Sequence, residues 1–456
     1  MDINRQVAEM AETYDQLALL SDLIDNAIKE GADAADAVVF DASSVSVSCR
    51  MGELEKLERS ESNDLGLRVF VGRQQAIVSS TDFEPDTLRE VVERAVAMAK
   101  AAPEDPYCGL AEADQLVTDP PTLEICDTEE PSSDDLINAA RTAEDAARSV
   151  EGVTNTEGAE TGWSSARIAI ATSNSFARTY ATTSYSLAAS VLAGEGTEME
   201  RDYDYTSSVY YADLADPAEI GRSAGERAVK RLNARKVETQ QVPVVYDPRV
   251  SGGIVRHYAS GINGSSISRG TSFLKESMGQ KVFSDGINIV DDPHRNRGLR
   301  SKPFDAEGLP NARKYLAQDG VLKSWVLDLA SARQLGLSST GNAARGTASP
   351  PSPAVTNLYM EAGNQSPAEL MSDIVSGFYV TELIGMGINM VTGDYSRGAT
   401  GFWIENGEIV YPVTEMTVAG NLKDMFANLT PADDLEFRFG TDAPTIRIDG
   451  MTVAGS

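Results

Sequence analysis

Gly401-Phe402-Trp403-Ile404-Glu405-Asn406-Gly407-Glu408-Ile409-Val410-Tyr411-Pro412-Val413 is the stretch that decides the fold class. Apolar runs flank Asn406-Gly407, a dipeptide that tolerates positive φ at both centres of a two-residue turn, so the segment reads as an antiparallel hairpin. Lys314–Val326 repeats the pattern around Asp319-Gly320. Two helices are expected among these strands, about Pro248 to Ile262 and about Ser366 to Gly377, the second capped by Ser366 with Glu369 three residues on. The second half of the chain therefore reads as a mainly-β sandwich or open barrel carrying one or two helices.

Working outward from there, the polar run Lys236–Gln241 ahead of an apolar Val-Pro-Val-Val-Tyr segment marks a boundary. It separates an α+β region, residues 1–235, from the mainly-β region, residues 240–456. In the first region Leu17, Leu20, Leu23, Ile24 and Ile28 recur at helical spacing from about Tyr14 to Lys29, with Gly31 as a stop. Between Ala37 and Ser80 short strands alternate with breaks at Met51-Gly52 and Gly72-Arg73, as hairpins do. A helix from about Pro85 to Ala101 follows, then helices at about Asp134–Ser149 and Pro217–Leu232 enclosing a second set of strands. The repeated order predicts two α+β layers, subregions 1–105 and 130–235. Between Lys100 and Arg141 lie eleven acidic residues, five prolines and no basic residue, which predicts an irregular acidic loop joining them.

Bulk composition narrows the function. A formal charge of −30 over 456 residues repels phosphate backbones, so direct nucleic-acid binding is not expected. The exception is His294-Arg295-Asn296-Arg297-Gly298-Leu299-Arg300-Ser301-Lys302, a basic run that could meet phosphate or an acidic partner, or could be a solvated loop. No apolar run is long enough to span a bilayer, and the start of the chain lacks the basic and apolar stretches of a secretory signal. Cys49, Cys108 and Cys126 form no close-spaced metal or redox motif, so a reducing, cytoplasmic setting with free thiols is expected. His257 and His294 are the only histidines, which excludes a multi-histidine metal site. Acids at the spacing of a known calcium or magnesium loop are absent. The Ser251-Gly252-Gly253 and Gly261-Ile262-Asn263-Gly264 runs have neither phosphate-loop nor nucleophile-elbow spacing and read as turns and helix ends.

Several long blocks resemble the TldD/PmbA family, historically named modulators of DNA gyrase. They are GLRVFVGRQQAIVSST (66–81), SFLKESMGQKVFSDGINIVDDP (272–293), FDAEGLP (304–310), PAVTNLYMEAG (353–363), the segment 393–422 that contains the opening hairpin, and APTIRIDGMTVAG (443–455). The family has one type with a helical His-Glu-x-x-x-His zinc motif and one without it, and this chain resembles the second. His257 stands where the first ligand would be, Tyr258 replaces the glutamate and Ile262 the second histidine. A catalytic zinc needs three protein ligands and a water, with a carboxylate to accept that water's proton. The resemblance also implies a ligating cysteine near the C-terminus of the active type, and here none follows Cys126. Residues five apart on a regular helix point about 140° apart, so the motif is expected to need a local widening near Gly261.

The resemblance implies a subunit with no catalytic residues and no cofactor, paired with a metallated TldD-type subunit that carries the zinc and cleaves unfolded or leader peptides. A homodimer is expected for the isolated chain. Candidates for a peptide groove are Asn357, Asp394, Ser396 and Arg397, polar residues between well-formed strands. Against this stand a free-standing peptide-binding or gyrase-modulating homodimer and a metallopeptidase with a cryptic site.

Overall fold

The structure, a computed structural model, describes residues 3–455. The first residues of the chain start, Met1 and Asp2, lie outside the described residues. The first half builds one six-stranded antiparallel sheet from β1 (Ala34–Arg50), β2 (Glu53–Val71), β3 (Gln74–Ser80), β4 (Val153–Thr172), β5 (Ala177–Ala193) and β6 (Glu200–Ser208), in the order β3-β2-β1-β4-β5-β6. The strands are longer than the residue pattern suggests. β1 runs unbroken through Asp41–Ser44, and β2 through the charged stretch Glu53–Asp64, because every residue but Glu55, which sits at a register shift opposite Ser48 and Cys49, has a ladder partner on β1 or β2. Met51 (φ 53°) and Gly52 (φ 78°) make the tight turn between them, where the sequence placed a break.

Side-chain parity on β1 explains how the helices cover this sheet. Ala35, Ala37 and Val39 pack with α1 (Ile3–Lys29) and α2 (Pro85–Ala101), while Val45, Val47 and Cys49 pack with α3 (Ser133–Arg148) and α4 (Pro217–Lys230). All six positions are odd, so both helix pairs lie side by side on one face. The two expected layers are thus two ends of a single sheet. Even-numbered Val38 and Phe40 face the other way, against Phe176 and, from the second half of the chain, Phe304.

In the second half, β7 (Gln240–Tyr246) pairs in parallel with Ser376–Ile388 and antiparallel with Ile446–Ala454. Asp394–Glu405 and Glu408–Asn421 continue the sheet from Ser376–Ile388. The pairing of Thr417–Ala419 with Thr452–Ala454 then closes five strands into a mixed barrel, in place of the open form. A second sheet runs Val321–Leu322, Lys314–Gln318, Ile289–Asp292, Asn357–Met360, Thr441–Asp442. Both expected hairpins form, with positive φ at Asp319 and Gly320 and at Asn406 and Gly407. The helix expected over Ser366–Gly377 is shorter, Pro367–Met371. Its Ser366–Glu369 capping box is present, but Ser376 and Gly377 already pair with Glu405 and Ile404 as strand.

Buried ion pairs join the halves. Asp36 on β1 accepts from Arg68 on β2 and from Arg345 in the second half, all three nearly inaccessible to solvent. Arg231 bonds Glu382 of the barrel at 2.6 Å, and Arg249 bonds Asp202 of β6 at 2.9 Å while lying over the Tyr203 ring.

Candidate functional site

The helix that carries the altered motif is α5 (Pro248–Gly261). Asp247 caps it by accepting from the Arg249 N–H, and Pro248 at the first position pre-sets φ. Ile254, Val255, Tyr258 and Ala259 bury one side against the barrel and the second sheet. Gly252 permits a close approach, since a Cβ there would stand 2.6 Å from the Thr441 carbonyl oxygen. The opposite side, Gly253, Arg256 and Ser260, faces outward, and a Cβ on Gly253 would meet nothing within 4 Å.

The three motif positions have different fates. Tyr258 is fully buried, edge-on to Phe283 with ring centroids 4.9 Å apart, and its hydroxyl donates to the Leu316 carbonyl at 2.9 Å. Ile262 is also fully buried, in the same core cluster. No local widening of the helix occurs: the Ile262 N–H bonds the Tyr258 carbonyl at 3.1 Å in regular register, and Ile262 itself is the C-cap, with φ −101° and ψ 9°. Gly261 has a packing role in place of a hinge role. A Cβ there would lie 3.0 Å from Leu274 Cδ1 and 3.1 Å from Phe273 Cε1.

His257 alone keeps a path toward the exposed side. Its ring stands edge-on to Tyr395, centroids 5.9 Å apart. Burial, then the Arg397 and Arg256 guanidinium charges, push its imidazole down to about 4, so it is neutral near pH 7. Arg300 is likewise held below the usual guanidinium range by burial and then by Arg256. A Cβ on Gly440 would lie 3.0 Å from Arg300 Cγ, which sets Arg300 over the strand end that α5 also touches through Gly252 and Thr441.

The groove candidates do not form one site. Tyr395 and Arg397 share a strand face, so Arg397 projects to the His257 side, where its Nη2 donates to the Leu383 carbonyl at 3.2 Å. Ser396 points the other way and is exposed. Asp394 braces the hairpin end, accepting from Thr392 and Asn421, bonds that hold its carboxyl below the usual range. Asn357 is buried in the second sheet and fully engaged: its amide donates to Asp292 O and Ser301 Oγ, and its Oδ1 accepts the Arg300 N–H at 3.0 Å. It also lines a cavity of about 190 Å³ with Ser208, Asp213, Arg295, Arg297 and Asp442.

The basic run is not a uniformly solvated loop. His294 Nε2 meets Asn311 Oδ1 at 2.7 Å, Arg295 lies over the Phe437 ring at 3.8 Å, and Arg297 pairs with Asp213 and Glu124. Lys302 is buried against the Ala343 carbonyl. What the residue pattern missed is Arg256 beside Arg300. Nothing periodic links two residues so far apart in the chain.

The PmbA/TldA metallopeptidase family matches the chain in three consecutive blocks: domain 1 over residues 35–99, the central domain over 126–232 and the C-terminal domain over 239–455. The chain belongs to this family. It is 36% identical to the metalloprotease PmbA of Escherichia coli O157:H7 over 426 residues, 93% of each chain. It is 36% identical to the PmbA homolog of Haemophilus influenzae over 436 residues, 95% of this chain and 94% of that one. A crystal structure described as a modulator of DNA gyrase, from Bacteroides thetaiotaomicron VPI-5482, superposes with a TM-score of 0.89 at 27% identity, covering 96% of this chain and 98% of the other. TldE from Thermococcus kodakarensis shares the fold, with a TM-score of 0.85 at 21% identity over 96% of this chain and 100% of TldE.

A metallopeptidase implies a catalytic metal ion, and the donor set on α5 does not fit one. The Ile262 side chain has no donor atom, the Tyr258 hydroxyl is spent on Leu316 inside the core, and among the described residues the charges that act on His257 are those of Arg397 and Arg256, not of a carboxylate or thiolate. Among the described residues no group of three or more His, Cys, Asp or Glu side chains is placed to hold a metal ion. No described helix is long and apolar enough to cross a membrane.

Proposed function

We propose that this PmbA/TldA-family chain is the non-catalytic partner of a metallated family member, and that the pair cleaves unfolded or leader-like peptides. One observation carries the reading: two of the three motif positions on α5 are sealed in the apolar core, with Tyr258 and Ile262 both fully buried. The chain would hold peptide and complete the substrate chamber, and the partner's zinc would perform hydrolysis. Extended peptides can be held by addition to a free strand edge, with little regard to sequence. Two such edges support the reading. Among the described residues no strand pairs with the outer side of β2 from Glu53 to Asp64, because β3 reaches only Leu65, and Ser376–Ile388 meets β7 only at Phe378–Val380. Among the described residues Cys49 and Cys108 form no disulfide, which suits a cytoplasmic setting.

The test is co-expression with a metallated relative from the same genome. Peptide hydrolysis is expected only in the mixture, and is expected to vanish when the relative's motif glutamate is changed. The isolated chain is expected to form a homodimer without activity. Hydrolysis by the purified chain alone would overturn the proposal and favour a cryptic metal site.

A further inference from the structure

We propose that the exposed face of α5, with Arg256, Arg300 and Arg397 gathered at it, is a binding site for peptide carboxylate groups. This rests on the reading that the chain handles peptides, and it names the chemistry that the site selects. The first argument is charge. With 69 acidic and 39 basic residues, a surface arginine has carboxylates in excess around it. Even so, among the described residues no carboxylate lies within 4.0 Å of the Arg256, Arg300 or Arg397 guanidinium. Asp442 is near enough to act on Arg300 but makes no ion pair with it, so three like charges gather with too little counter-charge, and a bound anion recovers the free energy this costs.

The second argument is geometry. Arg397 makes one side-chain bond, to Leu383 O, and its Nε is buried with no partner. Asn357 fixes the Arg300 backbone, and Gly440 gives the Arg300 side chain its bed. Gly253 leaves open space one turn before Arg256, so the helix has a shallow floor rather than a covered flank. Planar guanidinium forks match a carboxylate through paired N–H···O bonds, which an ammonium does not reproduce. The chain's formal charge of −30 repels a long polyanion, so an isolated carboxylate on a short peptide is favoured over a nucleic-acid backbone.

The experiment is fluorescence anisotropy with the full purified chain and four labelled peptides of one neutral sequence. One has a free C-terminal carboxylate, one a C-terminal amide, one an amide with two internal aspartates, and one an amide with two internal lysines. A carboxylate-bearing peptide is expected to bind at least about tenfold more tightly than the neutral amide, and R256Q or R397Q to remove about fivefold or more of that affinity. Tight binding of the first peptide assigns the chain terminus as the source, and of the third, acidic side chains. Arg256 is exposed, so R256Q is expected to retain the wild-type melting temperature. Equal binding of all four peptides, or unchanged affinity in both variants, would sink the proposal. Inorganic phosphate competing as well as the free carboxylate peptide would do the same. No metallated subunit is present, so failure here and failure of the hydrolysis test are separate results.

Discussion

The Tyr258 hydroxyl donates to the Leu316 carbonyl at 2.9 Å, inside the core that joins α5 to the second sheet. The phenol thus occupies the motif's carboxylate position as a structural strut. Y258F leaves a buried carbonyl without this donor and is expected to cost about 1–2 kcal/mol in urea unfolding. Y258E, which restores the motif glutamate, is expected to cost about 3 kcal/mol or more by burying a carboxylate in an apolar cluster. It should bring no hydrolytic activity. A Y258E protein as stable as the wild type would show that the pocket is still polar.

Gly261 separates two effects of opposite sign. Alanine would gain about 1 kcal/mol of helix propensity, but its methyl must displace the buried Leu274 and Phe273 side chains, a strain of about 1–3 kcal/mol. The clash should win, so G261A is expected to lower the melting temperature. A higher melting temperature would mean that Phe273 and Leu274 shift without cost.

With only His257 and His294 in the chain, imidazole titration by NMR is readily assigned. His257 should stay neutral down to about 4, burial being the main cause and Arg397 and Arg256 the next. Its folded value is depressed from 6.5, so the unfolded state takes up the proton first. The stabilising contribution is fully present above 6.5 and is lost as pH falls toward about 4. H257Q should remove that part of the acid sensitivity. A His257 titration near 6.5 would contradict the crowding of arginines around it.

Among the described residues Asp36 is the one acid that forms ion pairs with both Arg68 and Arg345. Burial raises its carboxyl, but the two guanidinium charges outweigh this and hold it below the usual range. D36N removes the counter-charge and leaves two buried arginines, with an expected loss of about 3–5 kcal/mol in denaturant unfolding. A loss below about 1 kcal/mol would show that water reaches the pair, as at a surface salt bridge.

Local chemistry made much of this fold legible. Asn406-Gly407 and Asp319-Gly320 specify their turns through positive φ, and Ser366 with Glu369 specifies a helix start. Where that helix stops could not be read, since Gly377 is drawn into a ladder with Ile404 by residues distant in sequence. β2 was legible as strand over Leu54–Ser60, but its unbroken length through Ser62–Asp64 was not, since the side chains there are polar and mostly exposed, and pairing with β1 holds them. At the site, the loss of zinc ligands was legible because it concerns adjacent residues of known chemistry. Asn357 was legible as a polar residue among strands, but its role in bracing the Arg300 loop depends on the packing of two loops and a sheet. The gathering of Arg256, Arg300 and Arg397 follows from three separate elements meeting, which no spacing rule encodes.

Closure of the barrel places a demand on synthesis. Gln240 on β7 pairs with Val453, and Val418 also pairs with Val453, so the ring cannot shut until the strand ending at Ala454 has left the ribosome. Nascent chains that already carry α5 must hold its apolar side without a completed wall. That interval is when a chaperone would be most needed, and when a stalled ribosome would yield the most aggregate.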